Sequence, residues 1–173
     1  MNLAIYETQI LRKRRLPSPG RILSAADAAW TCRDMVNLDR EHLVRLDLDA
    51  RCNLIGRETV HIGTADSAVI SPREVLRGAI LNGAINIIIL HNHPSGESSP
   101  SKEDLRVTKL MTQAGKSVGI EVVDSLIIGH GGTFFSCSFH TAGQVRQRHR
   151  QLSQRTHQRS LLSYSFTPTK QIM

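Results

Sequence analysis

The sequence predicts a mixed α/β (α+β) domain, a β-sheet flanked by helices, followed by a basic tail. Three observations predict it. Segments of helical periodicity and short strand-like segments follow one another in the order α-β-β-α-β-α-β-β. Residues 85–90, Ile-Asn-Ile-Ile-Ile-Leu, form a short apolar run between two helix patterns, as a strand buried by helices would. The charge is also lopsided. Through residue 124 there are 16 Lys/Arg against 15 Asp/Glu, whereas residues 125–173 hold 6 Lys/Arg and no acid.

A length of 173 residues suits one domain with tails: an N-terminal segment and linker over 1–20, a folded domain over 21–138 and a basic tail over 139–173. With 40% hydrophobic but only 4% aromatic residues, the core must rest on Ile, Leu, Val and Ala. No stretch approaches the ~18 apolar residues of a membrane span, so none is expected. The basic run Arg12-Lys13-Arg14-Arg15 follows the first apolar residues instead of preceding them, which argues against a secretory signal. Cys32, Cys52 and Cys137 are odd in number and scattered. They point to a reducing, cytoplasmic compartment without a disulfide framework.

The elements follow in order. Ser24 can cap a helix over about 24–37, with Asp27 three residues on and Trp30 as a core anchor. In Glu41 to Asp49, Leu46 and Leu48 alternate with Asp47 and Asp49, which predicts a strand exposed on one face. Residues 53–55 and 59–62 read as further strand segments around Gly56, with His61 half exposed. Ser71-Pro72-Arg73-Glu74 opens a helix that Gly83 closes. The strand over 85–90 comes next, then a helix from Ser101 to about Ser117, ended by Gly119. Residues 121–128 and 133–137 form a hairpin around Gly129-His130-Gly131-Gly132.

The chemistry concentrates where the apolar strand ends. His91 and His93 are two residues apart, so in extended chain both imidazoles face one side. A turn-rich loop, Pro94-Ser95-Gly96, shapes the return toward Ser101-Lys102-Glu103-Asp104, and Gly96 suits a positive-φ position. The Asn92 side chain points away from the histidines and anchors the loop. Two His and one Asp make three protein ligands, the count expected of a catalytic zinc site with one position left for water. The same Ser101…Asp104 pair also reads as a helix cap and its box partner, and the two readings are compatible.

His91-x-His93, seven residues, Ser101, two residues and Asp104 resemble the JAMM (MPN/JAB) metalloprotease motif. The string His91-Asn92-His93-Pro94-Ser95-Gly96, with Pro100-Ser101 and Asp104, is similar to the RadC-like branch, over about residues 38–136. The resemblance implies a JAB/MPN-like mixed sheet and one Zn2+ per chain on His91, His93 and Asp104. It implies hydrolysis of a peptide or isopeptide bond, with a peptide or protein as substrate. It also implies an upstream glutamate as general base, which by position resembles Glu41, and Ser101 as a stabiliser of the oxyanion. Spacing alone leaves Glu41 a surface residue and Glu58 and Glu74 as rivals. The chain departs from the pattern at Asp124-Ser125, where such proteins typically have Asp-His.

The tail, with Arg146, Arg148, Arg150, Arg155 and Arg159 among Gln and Ser, has little that could form a core. It reads as a solvated segment or as an arm that contacts phosphate backbones without reading sequence. RadC-like proteins are named for a link to DNA repair. The alternative function is therefore a DNA-associated accessory protein whose tail supplies the affinity.

Overall fold

The computed structural model describes residues 20–63 and 70–137. The expected linker prolines, the basic run Arg12–Arg15 and the whole tail lie outside the described residues.

Five strands form one mixed sheet: β1 (Glu41–Leu48), β2 (Leu54–Gly63), β3 (Asn86–Asn92), β4 (Glu121–Ile128) and β5 (Phe134–Ser136). Their order is β2-β1-β3-β4-β5. Among the described residues only the pair β3–β4 is parallel, and the helix α3 (Lys102–Ser117) crosses between them. The other helices are α1 (Ala25–Thr31) and α2 (Pro72–Leu81). Alternation along the strands splits the core in two. Val44, Leu46, Leu48, Ile88, Leu90, Leu126 and Ile128 pack toward α1 with Ala28, Cys32 and Met35. Leu43, Ile87 and Ile89 pack on the opposite face with Val75, Leu76 and Ala79 of α2 and Met111 of α3. Among the described residues no helix is long and apolar enough to cross a membrane.

Several expectations need correction. The first helix is interrupted: α1 ends at Thr31 and a 3-10 turn covers Arg33–Asn37. Ser24 does cap it, accepting from the Asp27 N–H at 3.2 Å. Trp30 is not a core anchor; it is 47% exposed and lies under the Arg33 guanidinium, 4.0 Å from the ring centroid. Ser71 takes the cap position of α2 without a side-chain cap bond. The two segments around Gly56 are one strand, β2, with bulges opposite β1.

The largest difference concerns β1. Its charged face is not exposed, because α2 covers it. Arg45 and Asp47 are each 1% exposed. Arg45 donates to Asp47 through Nε (2.5 Å) and Nη2 (3.0 Å), to Glu58 Oε2 (2.6 Å) and to the Val75 carbonyl (2.6 Å). Asn82 Nδ2 adds a bond to Asp47 Oδ2 at 2.9 Å. The cluster ties α2 to both β1 and β2. It leaves no room at Gly78, where a Cβ would stand 2.2 Å from Glu58 Oε2 and 2.6 Å from Arg45 Nη2.

Candidate metal centre

The site lies at the carboxyl end of β3, beside the N-terminus of α3. His91 is the penultimate residue of β3 and His93 follows the strand directly. Both belong to the sheet face covered by α2 and α3. The loop then turns back through Gly96, which has φ +85. A Cβ at Gly96 would meet the His130 ring at 2.2 Å, so the hairpin turn between β4 and β5 closes over this glycine. The backbone agrees: the His130 N–H donates to the Gly96 carbonyl at 2.9 Å. Residue identities alone gave no sign of this His130 contact.

At the start of α3 the capping reading of Asp104 holds, and the capped carboxylate also faces the two histidines. Ser101 Oγ accepts from the Asp104 N–H at 3.1 Å, and Asp104 Oδ2 accepts from the Ser101 N–H at 2.7 Å. The cap fixes the carboxylate, and its oxygens face the histidines. Asp104 Oδ1 lies 3.1 Å from His91 Nε2, and Oδ2 lies 3.5 Å from His93 Nε2. The two Nε2 atoms are 3.1 Å apart. Ligand atoms of all three residues fall within 4.8 Å of one another. Zinc bonds of about 2.0–2.1 Å place tetrahedral ligand atoms roughly 3.3–3.4 Å apart. The donor set therefore fits a zinc ion with three protein ligands.

The surroundings support that chemistry. His93 Nδ1 lies 2.8 Å from the Glu97 carbonyl. A carbonyl only accepts, so Nδ1 carries a proton in either state: in the neutral imidazole Nε2 is the lone-pair nitrogen that faces the site, and in the protonated one Nε2–H points to Asp104. Hydrogen bonding to Asp104 raises the His93 pKa against the effect of burial, and the Glu41 charge adds to the rise. For Asp104, burial acts to raise the pKa, but hydrogen bonds from His91 and His93 overcome it and hold the carboxyl well below the usual range.

Glu41 enters through the sheet register. β1 runs antiparallel to β3, with Leu43 opposite His91. Two residues back along β1 from Leu43 is Glu41; two residues on from His91 is His93. Period-2 alternation puts Glu41 on the face of both histidines. Its rival Glu58 is bound to Arg45, and Glu74 sits in the first turn of α2. Asn92 does not anchor its own loop. It reaches across to β1, accepting from the His42 N–H at 2.8 Å and donating to the Arg40 carbonyl at 2.9 Å.

A sequence model of the RadC-like JAB domain family matches residues 22–144. The chain belongs to the RadC-like JAB domain family. Among curated relatives, a UPF0758 protein of Thermotoga maritima is 39% identical over 127 residues, covering 73% of this chain and 56% of that one. A UPF0758 protein of Shouchella clausii is 42% identical over 124 residues, covering 71% and 54%. One of Desulforamulus reducens is 46% identical over 96 residues, covering 56% and 42%. The chain spans about half the length of the curated relatives it matches. The family match takes in all five strands and every residue of the candidate metal centre. Ser125, the point of departure from the RadC-like pattern, is buried on β4 opposite Ile89. It adjoins Cys137, whose thiol pKa is pushed up by burial.

Proposed function

We propose that this RadC-like JAB domain is a zinc-dependent hydrolase of peptide or isopeptide bonds. The observation that carries the proposal is the convergence of His91, His93 and Asp104, with ligand atoms within 4.8 Å of one another, and Glu41 on the same sheet face. A zinc ion held there would lower the pKa of a water toward ~7 and polarise the scissile carbonyl. His91 and His93 offer neutral nitrogen lone pairs, and Asp104 supplies the one anionic ligand. Glu41 takes the proton from the attacking water and delivers it to the leaving amine. The Ser101 hydroxyl accepts from the Asp104 N–H and keeps its own O–H to donate to the oxyanion. Ser101 is exposed, so a substrate can reach it.

The test is hydrolysis of a panel of short peptides and isopeptide-linked conjugates by the full chain. Cleavage is expected to stop when a chelator strips the metal and to return with stoichiometric zinc. Cleavage that persists in the stripped protein would contradict the proposal.

The charge distribution favours a second reading, compatible with the first: association with DNA through the basic tail. All 6 Lys/Arg of residues 125–173 lie at or beyond Arg146, with no acid among those residues. Contacts confined to phosphates predict duplex binding that is indifferent to sequence and weakens steeply as salt rises. Deleting Ser138 to Met173 is expected to abolish it in a filter-binding or anisotropy assay. Binding that is insensitive to salt, or that survives the deletion, would count against this reading.

A further inference from the structure

Asn92 stands between the two metal-ligating histidines yet points away from them. It is 2% exposed, so its amide cannot be satisfied by solvent. The β1–β3 register ends at the pair Leu43–His91. Beyond that pair β3 stays paired with β4 but no longer with β1, and the Asn92 side chain takes over on the β1 side. Its Oδ1 accepts from the His42 N–H at 2.8 Å and its Nδ2 donates to the Arg40 carbonyl at 2.9 Å. A primary amide offers the same donor and acceptor as a peptide group, so it can extend a ladder by one rung. The two backbone groups it holds flank one residue, Glu41. On its other edge this segment pairs with β2, Glu41 opposite Gly63 and His42 opposite Ile62, so the Asn92 amide is its hold on the β3 side.

The geometry points to Asn92 as a positioning residue that sets Glu41 over the metal centre by clamping the peptide units on both sides of it. This rests on the reading of Glu41 as the general base. The same residue thereby links the spacing of the zinc ligands to the placement of the base. His91 and His93 diverge from Asn92 toward the metal, while Asn92 reaches back to β1. Misplacing a reacting group by about 1 Å can cost about 10²-fold in rate, so a clamp of this kind matters to turnover more than to metal binding.

The experiment compares wild type, Asn92→Ala and Asn92→Asp as full chains, first with zinc alone as the probe. The carboxyl 13C resonance of Glu41 is followed as zinc is added. In wild type it is expected to shift. In Asn92→Ala the zinc is expected to bind at the same stoichiometry while the Glu41 shift collapses. Asn92→Asp keeps the acceptor for His42 but sets an oxygen against the Arg40 carbonyl, so an intermediate shift is expected and serves if the alanine variant does not fold. In hydrolysis, Asn92→Ala should lower kcat by about 10²-fold with KM unchanged. It should add nothing to the loss in Glu41→Gln, because the two act through one group. A Glu41 response as large in Asn92→Ala as in wild type would overturn the positioning role alone. A Glu41 carboxyl that ignores zinc in wild type would overturn the base assignment, and the positioning role with it.

Discussion

Glu41→Gln is expected to retain zinc and to lose about 10²–10⁴-fold in hydrolytic rate. Glutamine matches glutamate in shape and can still hydrogen-bond to a water, but it cannot take up a proton at neutral pH. The three proposed ligands would be unaffected, because Glu41 is none of them. It comes to the site by strand register, from the far side of the Leu43–His91 pair. Its charge already reaches His93, whose pKa it helps to raise. The control is Glu58→Gln, since Glu58 is a half-exposed partner of Arg45 and should not affect the chemical step. Initial rates at matched zinc content decide the matter. Full activity in Glu41→Gln would remove Glu41 as the base.

Arg45→Ala is expected to be the most damaging substitution outside the metal centre. It deletes four hydrogen bonds and leaves the Asp47 carboxylate buried, with only Asn82 still bonded to it. Breaking one side of a buried ion pair typically costs about 3–5 kcal/mol. That is a large share of the 5–15 kcal/mol or so that holds a typical domain together. The cost arises mainly from the stranded charge. Replacing Arg45 and Asp47 together by apolar residues of similar volume should therefore recover most of the loss. Urea unfolding followed by circular dichroism checks both variants. An Arg45→Ala midpoint within error of wild type would show that the cluster contributes little.

These two residues illustrate what the sequence could and could not convey. The helix opened by Ser101, the apolar strand before His91 and the turn at Gly96 were legible because each is a local pattern with a local cause. The paired histidines and Asp104 were legible for the same reason: a strand end and a helix start fix their directions. The burial of Arg45 and Asp47 was not. Alternating charge on a strand looks the same whether that face meets water or an ion pair beneath a helix. The difference lies with Val75 and Glu58, 30 and 13 residues along the chain. Trp30 misled similarly, because helical periodicity places it on an apolar stripe but does not show where that stripe's edge meets solvent. Glu41 was singled out by family resemblance; spacing left Glu58 and Glu74 in contention, and the structure binds Glu58 to Arg45 and sets Glu74 in the first turn of α2. The Asn92 clamp spans 50 and 52 residues to His42 and Arg40, beyond the reach of any local pattern.

The central claim is that His91, His93 and Asp104 hold a zinc ion. The most direct test is elemental mass spectrometry of the purified, tag-free protein beside His91→Ala. The account predicts about one zinc per wild-type chain, a three-ligand protein site, and loss of that metal in the variant. A wild-type protein that stays free of zinc after zinc is supplied and the excess removed would contradict it.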